Sequence, residues 1–536
     1  GQVQSDNRVL NLTPFEVKFN ENRTFFTEGT ELFSKGNLFY SRRIGGTPIH
    51  YGDVYNQIGT NEQITSNPTE SKLINASKIS GRTKSGLGIG LLNAITRPQY
   101  AEIENTETGQ IRKAETDPIT NYNILVLDQT LKHNSSVSFI NTSVIRGSGN
   151  RNANVSAGLF SFFDKKNTYN LSGKVALSNI RYKEAGSERS LGYSHLLSFG
   201  KTSGRFTFNL SQELTDTKFT SNDLGYFTNN NFINHSAYVG YRYTEPKGWY
   251  NRLFLNLNMS HSSLFTPIGN IGSKYQQSRI QVNINAQTKK LIWFGVMMNY
   301  RPAENDFYEP RMSGYVFKRG SSVTLGGWIE TNYAKKYSAS VEAFERRFID
   351  FYGLNGLDFS LSQNYRFSSK FSIRHSIGLE SRPRGLGYTT TLSDNTIVIA
   401  RRQVTSIDNT LFLKYSFTNK MWLTFRARHY ASVVANKEFF ALSQNGTLTP
   451  KADITDNLDR NVNFFNVDMV YTWQFAPGSF LNVVWKNATY QSSNLSERGY
   501  FENLQNTLQS DQNNNLSLKV IYFLDYLQLR KTRRQG

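Results

Sequence analysis

The chain has 536 residues, no cysteine, and 61 lysines and arginines against 41 aspartates and glutamates, which gives a formal net charge of +20. The absence of cysteine excludes disulfides and thiolate chemistry. Mean hydropathy is −0.50, and no run of about 18 apolar residues is present, so no transmembrane helix is predicted.

The basic surplus does not predict a nucleic-acid partner. Such a surplus usually suggests nucleic acid, but here the lysines and arginines are spread through turns, loops and strands, without a basic helix or arm. Aromatic residues make up 14% of the chain, with 38 Phe and 29 Tyr. This content is more typical of the aromatic girdles of a membrane barrel than of an ordinary globular core.

Residues 1–36 alternate poorly between apolar and polar positions and predict an irregular segment with its own polar contacts. The carboxylates singled out in this segment are Glu16, Glu21, Glu28 and Glu31. Residues 38–44 predict the first strand, and a loop with glycine and proline breakers follows. Because Gly1 shows no signal-peptide pattern, we expect that a leader has been removed or that an upstream part lies outside this chain.

From Leu73 onward the chain repeats one unit, a strand that alternates apolar and polar positions. Residues 280–287 are the clearest case, with Ile280, Val282 and Ile284 on one face and Gln or Asn between them. Period two predicts a β-strand with one apolar and one polar face. With residues 38–44 we predict about 22 strands (20–24), and bacterial single-chain barrels have even strand numbers. The other strands cover approximately residues 73–82, 86–96, 122–131, 136–146, 153–163, 169–182, 190–200, 205–214, 232–244, 250–262, 275–287, 291–301, 321–332, 337–348, 357–367, 371–381, 404–418, 422–432, 462–475, 480–490 and 516–527.

The connections between these strands alternate in length, which is the most specific signal in the sequence. Outer-membrane barrels have short turns on the periplasmic side and long loops outside. The short connections are residues 83–85, 132–134, 164–167, 201–204, 245–248, 289–290, 334–336, 369–370, 419–420 and 477–478. The long ones include residues 97–121, 215–231, 263–274, 302–320, 382–403, 433–461 and 491–515.

Aromatic residues flank the short turns, as in Trp249, Trp293, Tyr337, Trp422 and Trp473. This placement fits a periplasmic girdle, although aromatic pairs across strands also occur in the core of a β-sandwich. The combined pattern predicts an all-β fold. The predicted fold is a transmembrane antiparallel outer-membrane β-barrel of residues 37–536, with residues 1–36 as an N-terminal luminal plug segment.

Three glycines at period two, Gly86, Gly88 and Gly90, fall on one face of a predicted strand. They predict a smooth wall that another backbone can approach closely. Our hypothesis is that residues 1–36 lie against this wall, because barrels near 22 strands tend to have a filled lumen. The alternative is that these glycines make the wall flexible without any contact.

The polar strand face, taken as luminal, is net positive. One interpretation is attraction of an anionic solute. The other, which we favour, is neutralisation by the plug carboxylates and by Glu330, Glu342 and Glu380, because unpaired charges in a filled lumen are costly. The basic residues assigned to this wall are Lys78, Arg82, Lys174, Arg205, Arg279, Arg374, Lys414, Arg426, Arg428 and Lys519.

No catalytic, metal or cofactor site is predicted. The seven histidines are scattered and lack metal-ligand spacing. Gly200-Lys201-Thr202 is not a phosphate-binding loop, since His195 occupies the position of the required glycine. A Ser-His-Asp site meets only in space, so the sequence disfavours an enzyme without excluding one.

Two sequence blocks carry a resemblance to a known family. The first comprises residues 11–16, 21–29 and 38–45, and the second comprises residues 81–86 and 88–92. These blocks resemble an uncharacterised Bacteroidota outer-membrane family whose barrel domain follows a carbohydrate-binding module of the family-9 type. The resemblance covers about the first hundred residues. It implies an outer-membrane barrel and a link to glycans, and it supplies no catalytic residues.

The leading functional prediction is a channel or transport component of the bacterial outer membrane, with glycans or oligosaccharides as candidate solutes. The expected partners are outer-membrane lipid and other outer-membrane or periplasmic proteins. The alternative is a plugged barrel that acts as a scaffold subunit of an outer-membrane secretion or assembly complex. The sequence does not determine the solute, the partner proteins or the state of the lumen.

Overall fold

The protein is an all-β chain, as predicted. The computed structural model describes residues 5–147, 151–182, 189–269, 272–349 and 355–524. Strands contain 61% of the residues and helices 5%. No helix among these residues is long and apolar enough to cross a membrane.

One large antiparallel sheet contains 22 strands, which confirms the predicted number. These strands are β2 (Leu73–Arg82), β3 (Leu87–Thr96), β6 (Thr120–Thr130), β7 (Ser136–Arg146), β8 (Asn152–Phe163), β9 (Tyr169–Arg181), β10 (Ser190–Lys201), β11 (Phe206–Thr215), β12 (Phe232–Tyr243), β13 (Tyr250–Ser263), β14 (Tyr275–Thr288), β15 (Trp293–Arg301), β18 (Ser322–Glu330), β19 (Tyr337–Phe348), β20 (Asn355–Arg366), β21 (Phe371–Thr391), β22 (Ile397–Thr418), β23 (Met421–Leu442), β24 (Leu448–Pro450), β25 (Arg460–Ala476), β26 (Ser479–Ser493) and β27 (Asn513–Ile521).

The remaining elements are short. A three-stranded sheet contains β1 (Glu62–Ser66), β4 (Gln99–Asn105) and β5 (Ile111–Asp117), and a two-stranded sheet contains β16 (Glu304–Asp306) and β17 (Phe317–Arg319). Two α-helices are present in the described residues, α1 (Thr24–Thr27) and α2 (Tyr500–Gln509). The 3-10 helices are Lys35–Asn37, Ser41–Arg43 and Asp53–Gln57.

The predicted first strand is wrong, although the strand number is right. Residues 38–44 contain the 3-10 helix Ser41–Arg43. Leu38 and Ile44 are buried in an apolar cluster of the chain rather than placed in a ladder. The large sheet begins at Leu73, and the short strand β24, which pairs with β23, completes the 22.

The last strand pairs with β26 and ends at Ile521, short of the predicted residue 527. Residues 525–536, with the basic stretch 530–534, lie outside the described residues.

The two faces of strand β14 differ in exposure. Ile280, Val282 and Ile284 are 45%, 45% and 40% exposed, whereas the Gln and Asn side chains between them are partly buried. A water-soluble sandwich buries its apolar face. Here the apolar face is the more exposed one.

The chain divides into two compact units. Unit 1 comprises Gly1–Pro14, Tyr241–Leu257 and Gln277–Gly536, and unit 2 comprises Phe15–Gly240 and Asn258–Gln276. In unit 2, apolar side chains of β3 and β6–β9, such as Leu92, Val126 and Ile140, are buried on the face that we call the covered face. These strands therefore have apolar residues on both faces, which strict alternation did not predict.

In unit 1, three neighbouring strands are much longer than predicted. β21, β22 and β23 have 21, 22 and 22 residues, because parts of the expected loops 382–403 and 433–461, namely residues 382–391, 397–403 and 433–442, continue the ladder. Phe317, Ile397, Ile399 and Leu442 form an apolar cluster on this extension. The predicted loop 491–515 contains α2.

Candidate functional site

The N-terminal segment, residues 5–44, contributes one candidate site to each unit, together with the strand residues that hold it there. In unit 2, residues 15–44 lie against the covered face. Phe26, Leu32, Phe33, Leu38 and Ile44 are buried in one cluster with apolar side chains of β3 and β6–β9. Phe33 is 1% exposed. Residues 15–44 are therefore part of the apolar core of unit 2.

Asp128 on β6 is the ionic centre of this contact. Its carboxylate lies 2.9 Å from Lys35 Nζ of the segment and 2.6 Å from Arg82 Nη2 of β2. Ser138 Oγ donates to the same carboxylate at 2.6 Å. Arg82, predicted as part of a basic wall, is thus neutralised by a strand aspartate that the sequence analysis overlooked.

Two further wall lysines bind backbone oxygens of the segment. Lys78 Nζ donates to the carbonyls of Phe25 and Glu28. Lys174 Nζ donates to the Gly36 carbonyl at 3.4 Å. These lysines bind main-chain carbonyls of the segment, so their bonds do not depend on which side chains the segment has at these positions.

Two of the three predicted glycines face the segment. A Cβ on Gly88 would lie 2.9 Å from Leu32 Cδ2, and one on Gly90 would lie 3.3 Å from the Phe33 ring. Gly86 has a φ of +87°, and its Cβ would meet Thr130 and Gln129 instead. Gly86 therefore serves the turn before β3, where positive φ favours glycine.

The four predicted carboxylates do not act alike. Glu16 pairs with Arg43 at 2.6 Å, and Glu21 pairs with Arg23 at 2.7 Å. Glu31 lies 3.9 Å from Arg82 and is largely exposed, and Glu28 contributes its carbonyl to Lys78. The segment thus neutralises part of its own acidity, in contrast to the predicted pairing with strand cations.

Glu21 is the most enclosed of these four carboxylates. Ser41 Oγ donates to its Oε2 at 2.6 Å, and Arg23 Nε donates to its Oε1 at 2.9 Å. Burial raises the pKa of the Glu21 carboxyl, but the bonds from Arg23 and Ser41 outweigh burial and hold the pKa below its ordinary value.

In unit 1, residues 5–14 are held by polar bonds. Ser5 N and Oγ donate to Asp468 Oδ1 at 2.9 and 2.8 Å. Arg426 donates to the Ser5 carbonyl at 2.9 Å, and Arg428 donates to the Arg8 carbonyl at 2.9 Å. Not one of residues 5–14 is buried.

Both of these arginines are already paired with strand aspartates. Arg426 lies 2.8 Å from Asp468 on β25, and Arg428 lies 2.6 Å from Asp408 on β22. Arg428 is almost fully buried. Asp408 sits at a polar position of an alternating strand, which was the signal that could have found it. Asp128, in contrast, shares its face with the buried Ile124 and Val126.

The ladder registers place the other predicted basic residues, but they do not gather them into one site. Arg374, Lys414 and Lys519 share a strand face with Arg426 and Arg428, and Arg374 and Lys414 are exposed. Arg279 donates to Asn299 Oδ1 at 2.8 Å. Arg205 precedes β11, in the turn.

Unit 2 also contains a polar cavity of about 600 Å³. Asp223 in its wall accepts from Arg146 at 2.8 Å and pairs with Arg151. Burial raises the pKa of the Asp223 carboxyl, but the two arginines outweigh burial and hold the pKa below its ordinary range. Burial raises the pKa of Asp117. The cavity lining contains arginines and aspartates in balance, so its charges compensate one another.

A metal centre has no support in the described ranges, where no three His, Asp or Glu side chains group closely enough to hold an ion.

No curated protein matches the chain. A family model described as "Domain of unknown function (DUF5916)" matches residues 1–533, so the chain belongs to that family.

Proposed function

We propose that the protein is a bacterial outer-membrane β-barrel that acts as a transport component, with its N-terminal segment inside the barrel. The observation that carries the proposal is the inverted burial of β14, where Ile280, Val282 and Ile284 are more exposed than the Gln and Asn between them. Lipid is the solvent that such a face requires. An open sheet edge does not persist in hydrocarbon, so the proposal is of a closed barrel.

Aromatic contacts near the short turns support the same proposal. In unit 1, ring centroids 4.6–6.2 Å apart connect Tyr365, Phe367, Phe371, Tyr415 and Phe417 across β20–β22. Phe367, Tyr415 and Phe417 are exposed. An exposed row of aromatic rings at one end of the strands is typical of a membrane interface.

Transport is the proposed activity because the N-terminal segment is attached in two different ways. Residues 15–44 are part of a core, whereas residues 5–14 are held by polar bonds and expose their side chains. Release of residues 5–14 would open a path for a solute without unfolding the sheet. Glycans or their fragments are the proposed solute class on the basis of the resemblance described above.

The membrane part of the proposal is tested with single cysteines, since the chain has none. A fluorophore on Val282→Cys should be quenched by brominated lipid in proteoliposomes, and one on the adjacent Asn283→Cys should not. Equal quenching at both positions, or quenching at neither, contradicts a lipid-facing β14.

The transport part is tested by conductance of the full protein in planar bilayers. We expect low conductance of the wild type and higher conductance of Arg428→Gln, with Lys414→Gln as the matched control on the same strand face. Silence of both variants contradicts the pore and leaves the membrane location intact.

A scaffold in an outer-membrane complex is the second candidate function. Strands of 21 and 22 residues exceed the 9–11 or so that span a bilayer, so β21–β23 would project well beyond the membrane. Cross-linking after gentle detergent extraction should capture a partner on this extension. A protein that always migrates alone counts against the scaffold.

A further inference from the structure

A second cavity, of about 400 Å³, lies in unit 1 beside Leu12 and Thr13. Its volume falls within the range of small-molecule sites. The cationic side chains in its lining are Lys318, Arg319, Arg346, Arg382 and Arg402, and the anionic ones are Glu309 and Glu380. Unlike the cavity of unit 2, this one has an excess of positive charge.

The two carboxylates of the lining are already used. Glu309 lies 3.2 Å from Arg319 and accepts from the Tyr388 amide at 2.7 Å. Glu380 lies 3.3 Å from Arg382, which also pairs with Asp358 at 2.6 Å. Arg319 and Arg382 are therefore compensated by the protein itself.

Arg402 and Arg346 are not compensated in this way. Arg402 is 9% exposed, and its Nη1 donates to the Tyr388 carbonyl at 2.9 Å. Arg346 Nε has a long contact of 3.4 Å to Thr324 Oγ1. Over the part of the chain that the structure describes, no carboxylate oxygen lies within 4.0 Å of either guanidinium.

The backbone is adapted to the position of Arg402. A Cβ on Gly387 would lie 2.2 Å from Arg402 Nη2, so glycine is what allows the guanidinium to lie against strand β21. The guanidinium is held at the cavity by its neighbours. The Glu309 carboxylate acts on its charge at longer range but forms no salt bridge with it.

Burial of a cation without a nearby anion is energetically unfavourable. Guanidinium groups bind carboxylate and phosphate groups through bidentate hydrogen bonds. We propose that this cavity binds a soluble small molecule through an oxyanion, a carboxylate or a phosphate, held by Arg346 and Arg402.

The proposal does not depend on transport, since binding is measured on the purified protein. Isothermal titration of the full chain in detergent uses four probes: inorganic phosphate, glucose 6-phosphate, glucuronate and glucose. We expect at least one of the three anions to bind, and glucose not to bind. Binding of glucose with equal affinity, or of none of the anions, overturns the proposal.

The two arginines are tested separately. Arg402→Gln and Arg346→Gln should each weaken binding of the anion by about tenfold or more, the usual effect of losing a hydrogen bond to a charged group. Arg374→Gln, an exposed cation outside the cavity lining, is the matched control and should bind as the wild type does. If Arg402→Gln fails to fold, the less buried Arg346 decides the outcome, and unchanged affinity of Arg346→Gln overturns the proposal.

Discussion

The two parts of the N-terminal segment are attached by opposite physical means. Residues 15–44 bury Phe26, Leu32, Phe33, Leu38 and Ile44 in the core of unit 2. Residues 5–14 bury no side chain and are held in unit 1 by hydrogen bonds, several of them between arginines and main-chain carbonyls. The first contact has a buried apolar core beside its ionic and main-chain bonds, and the second consists of polar bonds.

This difference in attachment indicates which part of the N-terminal segment can detach without the other. Burial of an apolar side chain contributes about 1.5–3 kcal/mol, so five of them contribute on the order of 10 kcal/mol to the attachment of residues 15–44. Hydrogen bonds to charged groups contribute about 1.5–3 kcal/mol each when water does not compete. Residues 5–14 are thus the part of the segment that detaches first.

The largest expected effect is that of Phe33→Ala. The side chain is 1% exposed, and its removal leaves a cavity in the cluster that holds residues 15–44. We expect a loss of about 3–5 kcal/mol in the free energy of unfolding, measured by denaturant titration. Phe501→Ala, at a position 80% exposed, should change this free energy little, and an equal loss in both variants contradicts the role of burial.

The next effect is the release of residues 5–14 in Arg428→Gln. Arg428 donates to the Arg8 carbonyl, and its partner Asp408 is partly exposed and can be solvated when the arginine is lost. We expect the Leu10 amide to exchange with deuterium about tenfold faster, with unchanged exchange in residues 15–44. Lys414→Gln is the control, and faster exchange throughout both parts would show that they open together.

A smaller effect is expected for Gly88→Ala. The added Cβ would lie 2.9 Å from Leu32 Cδ2 and 3.2 Å from the Arg82 guanidinium carbon, so both side chains must shift. We expect a loss of about 1 kcal/mol in the free energy of unfolding. Gly158→Ala on β8 meets nothing within 4 Å and is the matched control. A loss in Gly158→Ala alone would contradict the close approach at Gly88.

The smallest effect is the pH dependence from Glu21. Its pKa is lowered in the folded protein, from 4.5, because the bonds from Arg23 and Ser41 outweigh burial. The stability that Glu21 contributes is therefore fully present above pH 4.5 and is lost as the pH falls through the lowered folded-state pKa. Denaturant titrations below pH 4.5 should show a weaker loss in Glu21→Gln than in the wild type, and parallel curves would contradict this contribution.

Much of the strand pattern could be predicted from the sequence because it is local. A strand presents alternate residues to opposite faces, so Ile280, Val282 and Ile284 determine their common face without reference to the rest of the chain. The same holds for Lys78, Arg82, Arg426 and Arg428, whose face follows from residue parity. The all-β class and the strand number of 22 are the result.

The partners of these residues depended on contacts between distant parts of the chain. Asp128 meets Lys35 and Arg82, and Ser5 meets Asp468, across sequence separations that no local pattern encodes. Residues 38–44 have strand-like composition but contain the 3-10 helix Ser41–Arg43, and the core of unit 2 buries Leu38 and Ile44. Likewise, Arg402 and Arg346 are a candidate anion site because folding gave their neighbours Arg319 and Arg382 salt bridges to carboxylates and gave these two none among the described residues. The sequence by itself determined the faces of the strands through covalent geometry, and tertiary packing decided which charges are matched and which are left to bind a ligand.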